Sequence, residues 1–184
     1  MKLVRSVGLM ILAATLALPG GARAETFSVA SGTWEGQVGV TGVTLAEYLD
    51  AMWAIQVEGR VGRFIRDGIE LQAVGSARVW PLGDQSPKAY GTTANLLYFP
   101  RITESHNLYF LVGAGGLYRS SPNENLGDTG FDGLARVGFG TKVHPSDTGW
   151  IRHFHLTSEF RIEMLFEQEV NTVAGITFGL SYFR

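Results

Sequence analysis

The sequence predicts an all-β fold, an eight-stranded antiparallel up-and-down transmembrane β-barrel, and three observations carry that reading. Apolar residues recur at every second position in eight runs from residue 33 onward, which is the period of a strand and not the 3.6 of a helix. The connections between the runs alternate between short and long, as they do where tight turns lie at one end of a barrel and loops at the other. The 184 residues are 45% apolar and 17% charged, with a mean hydropathy of +0.09. That balance is too apolar for a disordered tail, yet no stretch after the amino-terminal segment reaches 18 consecutive apolar residues, so membrane helices are excluded.

The amino-terminal segment stands apart from the pattern. Lys2 and Arg5 precede an apolar run over residues 7–18, Pro19-Gly20-Gly21 breaks it, and Ala22-Arg23-Ala24 supplies small residues in the A-x-A order. This is the order of a secretory signal, so residues 1–24 are expected to be cleaved and residues 25–184 to form the barrel domain. Cleavage removes three of the 15 bases (Lys2, Arg5 and Arg23) and none of the 17 acids, leaving a formal charge of 12 minus 17, or −5. A basic face for nucleic acid is therefore absent. With no cysteine, disulfides, thiolate metal sites, cysteine nucleophiles and lipid-modified cysteine anchors are excluded as well.

The strands follow in chain order. The first run lies near residues 34–40 and the second sets Trp53, Ile55, Val57 and Val61 against Gln56, Glu58 and Arg60. The third sets Ile69, Leu71, Ala73 and Val79 against Glu70, Gln72, Ser76 and Arg78. The fourth, near residues 92–99, and the fifth, over residues 108–118, alternate less regularly. The sixth sets Ala135, Val137, Phe139 and Val143 against Asp132, Arg136, Gly138, Gly140 and Lys142. The seventh sets Phe154, Leu156, Phe160, Ile162 and Met164 against His153, His155, Thr157, Glu159, Arg161 and Glu163. The eighth sets Ala174, Ile176, Phe178, Leu180 and Tyr182 against Gly175, Thr177, Gly179 and Ser181. Leu97, Leu111, Leu117 and Leu134 break parity. Short turns fall at Arg66-Asp67-Gly68, Thr103-Glu104-Ser105-His106 and Pro145-Ser146-Asp147-Thr148-Gly149; longer connections span residues 44–51, 81–89, 120–130 and 166–170.

Alternation alone leaves two orientations, because a soluble ligand-binding barrel places its apolar face inside. Three features favour an apolar exterior. Trp34, Trp53, Tyr98, Tyr118 and Tyr182 sit at strand ends, where rings with a polar edge form interfacial girdles. Gly113, Gly115, Gly138, Gly140, Gly175 and Gly179 on the polar face leave room in a narrow lumen. Finally, Glu35, Glu58, Glu70, Asp132, Glu159 and Glu163 are nearly balanced by Arg60, Arg78, Arg136, Lys142 and Arg161, as an ion-paired interior requires.

The segment from Phe131 onward, with "GLARVGFGTKVHPSDTGWIRHFHLTSEFRIEM" and the closing "NTVAGITFGLSYFR", resembles the OmpA-like family of eight-stranded outer-membrane barrels. The stretch "VEGRVGRFIRDGIELQAVG" similarly resembles the family's first periplasmic hairpin. The resemblance implies an outer-membrane location in a Gram-negative cell, contact with outer-membrane lipids and lipopolysaccharide, and folding by the barrel assembly machinery. Family members end on an aromatic residue; here Phe183 is penultimate and Arg184 last, while Leu180 and Tyr182 keep the alternate spacing. A cell-wall tether is not expected.

Candidate chemistry is sparse. His153 and His155 are expected on one strand face, near His144 and His106, and such imidazoles are potential metal ligands; no carboxylate at fixed spacing joins them, and no metal or other cofactor is expected. His155, Ser158 and Glu159 offer the side chains of a lipid A deacylase, but a histidine and serine three apart leave opposite faces of a strand. The expected protein is therefore a non-enzymatic, monomeric barrel of structural role in the envelope. Its lumen is filled by charged side chains, and residues 44–51 form a small helical lid. A deacylase-like enzyme and a soluble ligand-binding barrel are the alternatives.

Overall fold

The computed structural model describes residues 31–45, 53–80, 88–100, 107–120, 129–144, 151, 153–166 and 170–184. Eight strands follow one another: β1 (Trp34–Leu45), β2 (Trp53–Arg66), β3 (Ile69–Val79), β4 (Lys88–Tyr98), β5 (Asn107–Ser120), β6 (Gly130–Val143), β7 (Phe154–Phe166) and β8 (Val170–Phe183). Each pairs antiparallel with the next, and β8 returns to β1, so the sheet closes without an edge. Arg184 and Trp34 complete the seam by exchanging both main-chain hydrogen bonds at 2.9 Å. Strands of 11 to 14 residues meet or exceed the roughly 9–11 that a tilted strand needs to cross a bilayer.

The strands run beyond the alternating runs that announce them. Thr44 pairs with Trp53, Lys88 with Ser120 and Arg119 with Gly130, so residues expected in the long connections extend the ladders. At these levels the inward positions include buried apolar residues such as Ala54 and Ala89. The lid expected within residues 44–51 lies, from residue 46, outside the described residues, as do the signal segment and both of the longer turns, with His106. In the turn between β2 and β3, Gly68 takes φ +74°, a conformation that favours glycine, next to a register slip between Phe64 and Arg66.

Every strand turns its apolar set outward. Val38, Val57, Val61, Phe110, Val112, Leu156 and Phe178 are about half exposed or more, whereas Glu35, Glu58, Glu70, Arg78, Arg136, Lys142, Glu159 and Arg161 are buried. Tyr98, Tyr182 and Trp34 lie on the outer wall at the turn end, with Tyr90, Tyr118 and Phe131 at the loop end, giving two aromatic girdles. The side chain of Trp53 lies outside the described residues. The four parity-breaking leucines point inward with the acids and bases. Leu117 and Leu134 join Val43, Ala54, Ala89, Leu165 and Val173 in an apolar layer under the loops. Leu97 and Leu111 join Tyr109 and Phe99 nearer the turns.

Candidate functional site: the lumen network

The lumen concentrates the protein's ionisable side chains, and the strand period places them. Glu58 and Arg60 are successive inward positions of β2; Glu159, Arg161 and Glu163 are successive inward positions of β7. Strands β2 and β7 are not neighbours in the sheet, so bonds between them cross the lumen. Arg60 donates Nη1 and Nη2 to the two oxygens of Glu159 at 2.8 and 2.9 Å, a bidentate pair, and Nη2 also reaches Glu58 at 2.7 Å. Arg161 donates to Glu58 at 2.8 Å and lies 3.0 Å through Nε from Glu163. Tyr109, an inward residue with no counterpart among the expected site residues, donates its hydroxyl to Glu159 at 2.7 Å. Gly140 stands beside that phenol, where a β-carbon would collide with the ring.

Toward the loops, Glu163 takes Arg78 at 2.5 Å and Arg136 at 3.3 Å, and Arg78 Nε donates to Gln56 Oε1 at 2.7 Å. At the rim, Arg119 pairs with Asp132 at 2.6 Å. Toward the turns, Lys142 pairs with Glu35 and, at 3.2 Å, with Glu70. Its Nζ lies 5.2 to 5.5 Å from the ring centroids of Phe99, Tyr109 and Phe183, a three-sided aromatic cage. A β-carbon at Gly62 would overlap the Glu70 carboxylate, so glycine there lets the carboxylate approach the β2 backbone. Strand β8 lends no charge to the interior; Thr177 shares a hydroxyl hydrogen bond with Thr41 at 2.8 Å, and Ser181 with Thr157 at 3.1 Å.

All eleven charged residues of the expected interior set are thus inside and ion-paired with one another or, for Asp132, with Arg119. Buried as they are, an unpaired member would carry a large desolvation cost. The carboxylates are consequently occupied by cations, and this arrangement serves to tie strands together across the lumen.

One of the histidines departs from expectation. His155 is buried, with its ring 4.7 Å from that of His144 and edge-on to Phe183 at 4.5 Å. His153 instead packs on Tyr182, an outer-wall residue, with centroids 5.8 Å apart. Strand β7 begins at Phe154, so residue 153 precedes the ladder and the rule that places i and i+2 on one face does not reach it. Among the described residues, no three metal-binding side chains converge. His155 and Ser158 do leave opposite faces of β7, and Glu159 is held by Arg60 and Tyr109.

No protein-family model matches the chain, and no curated protein matches it in sequence. Solved structures do match in fold. Neisserial surface protein A superposes with a TM-score of 0.58 at 13% identity, covering 82% of this chain and 95% of that one. The attachment invasion locus protein Ail of Yersinia pestis gives 0.52 at 16% identity, over 84% of this chain and 99% of its own. The outer-membrane protein OprG of Pseudomonas aeruginosa gives 0.52 at 12%, over 87% and 99%. With charge enclosed and an apolar wall exposed, the chain has the closed eight-stranded fold of these outer-membrane barrels.

Proposed function

We propose that this protein is a monomeric, non-enzymatic outer-membrane barrel of a Gram-negative cell whose role is structural: it reinforces the envelope, presents four loops to the exterior and keeps its lumen closed. The observation that supports this most directly is the lumen itself, where arginines and glutamates from β2, β3, β6 and β7 meet across the axis. An eight-stranded barrel has an interior just wide enough for side chains, and here they are long and mutually bonded. The apolar wall makes lipids, including lipopolysaccharide, its constant partners, and a strand-built chain reaches that site through the barrel assembly machinery. The orientation of His155 and Ser158 disfavours a deacylase.

Two measurements test the reading. Folded protein is expected to migrate faster than boiled protein in gels and to float with vesicles. In planar bilayers it is expected to show no stepwise conductance above background. A stable open step, or loss of lipid A acyl chains in cells overproducing the protein, would overturn the structural role.

A further inference from the structure

The cations of the lumen face carboxylates, but three on the outer wall at the turn end do not. Arg63 lies directly opposite Trp34 across the β1–β2 ladder, and Arg184 is bonded to Trp34 from the other side. Directly paired residues share a face, so two guanidinium-bearing side chains flank one outward indole. The Arg63 guanidinium carbon is 5.4 Å from the Trp34 ring centroid. Arg66, at the end of β2, is exposed like Arg63 and Arg184. Among the described residues none of these three forms an ion pair. The nearby acids Glu35 and Glu70 point into the lumen toward Lys142, and Asp67 sits in the turn.

The distribution of charge along the chain sharpens the contrast. The connections at the loop end hold Glu47, Asp50, Asp84, Glu124, Asp128, Glu167 and Glu169, with no lysine or arginine in residues 46–52, 81–87, 121–128 or 167–169. The unpaired outer-wall arginines gather at the opposite end, just beyond an apolar band that includes Val38 and Val61. Arginine there can lay its stem along acyl chains and lift its planar fork to the level of the head groups, where it matches the two free oxygens of a phosphodiester. Tryptophan adds a flat apolar body with one polar edge at the same level.

We propose that Arg63 and Arg184, on either side of Trp34 and with Arg66 beside them, bind the phosphodiester head group of an anionic glycerophospholipid in the leaflet that the short turns face. This rests on the membrane-barrel reading above. The test is native mass spectrometry of the protein released from phosphatidylcholine nanodiscs containing a minor share of phosphatidylglycerol. Wild type is expected to retain phosphatidylglycerol in excess of its share, and Arg63→Gln/Arg184→Gln to lose about tenfold of that enrichment. Lys88→Gln, at the loop end, is expected to retain it. Increasing salt is expected to erode the wild-type enrichment, which tests the site without any substitution.

Equal retention of both lipids by wild type, salt-independent enrichment, or undiminished enrichment in the double variant would overturn the site. Complete displacement by inorganic phosphate would reassign it to a free anion. Failure of the membrane-barrel reading is separately visible, as a chain that neither floats with vesicles nor shows heat-modifiable mobility.

Discussion

The middle of the lumen is dominated by charge, whereas toward its two ends apolar side chains join the ion pairs, though the same strands supply both. At the middle, Glu58, Arg60, Glu159 and Arg161 are buried completely and satisfy one another across the axis. At the loop end the inward positions of the same strands are Ala54 and Leu165, and on their neighbours Val43, Leu134 and Val173. Nearer the turns, Leu97, Leu111 and Phe99 surround Tyr109, and Phe64 and Phe183 stack at 6.3 Å. Apolar layers thus flank the charged belt, with Lys142, Glu35 and Glu70 beside the layer near the turns and Arg119 and Asp132 at the loop rim. Low local dielectric strengthens each ion pair, and also makes any broken one more costly. The belt and the apolar layers around it are therefore coupled.

The largest expected effect comes from breaking the belt. Arg161 alone touches Glu58, Glu159 and Glu163, so Arg161→Leu leaves three buried carboxylates short of a partner. Destabilisation of about 3 to 5 kcal/mol is expected in urea unfolding followed by tryptophan fluorescence. A loss below about 1 kcal/mol would mean that water reaches the belt and screens it. Next comes an apolar layer: Leu97→Ala removes a fully buried side chain beside Tyr109 and Leu111 and should cost about 2 to 5 kcal/mol. If Leu97→Ala also renders Arg161→Leu less damaging, measured as a double-mutant cycle, the layer is acting as a water seal for the belt.

A comparison of the two faces of β8 gives the third effect. Phe178, 59% exposed on the wall, and Thr177, wholly enclosed, are adjacent in the chain. Phe178→Arg should destabilise the barrel in a bilayer by about 2 to 4 kcal/mol, the value for an arginine near the midplane. Equal stability of this variant in thick and thin bilayers would place residue 178 away from the midplane.

Much of this architecture was legible in residue order, because period two assigns each side chain to one of two environments once a single strand is oriented. The eight strands, the outward apolar set and the eleven enclosed charges all follow from that rule. The rule fails where the lumen stops being polar. Leu97, Leu111, Leu117 and Leu134 read as parity errors only if the interior is polar throughout; in the structure they hold parity and the interior changes composition instead. Tyr109 was hidden for the same reason, since an aromatic residue in an irregular run carries no mark of facing a carboxylate. His153 shows the other limit: a ladder's first residue sets where alternation begins, and the sequence around Trp150 does not mark it. The outer arginines near Trp34 become a group only when β8 closes on β1, a pairing between residues 150 apart in the chain.

The smallest effect lies in the uncharged part of the belt, at the seam that closes the barrel. Thr41 and Thr177 are opposite one another across β1 and β8, both fully enclosed, and Thr41 Oγ1 also accepts from Arg161 Nη2 at 3.2 Å. Thr177→Val removes one hydroxyl but leaves Thr41 bonded to Arg161, so about 0.5 to 1.5 kcal/mol is expected. Thr41→Val should cost more, since it also strips a guanidinium of an acceptor inside the low-dielectric belt. The double variant should then be more stable than the sum of the single losses, because the second valine removes a hydroxyl that already lacks its partner. Strict additivity in that cycle would show the two hydroxyls to be energetically independent, and the seam would then rest on its backbone ladder and on the charges of β7 alone.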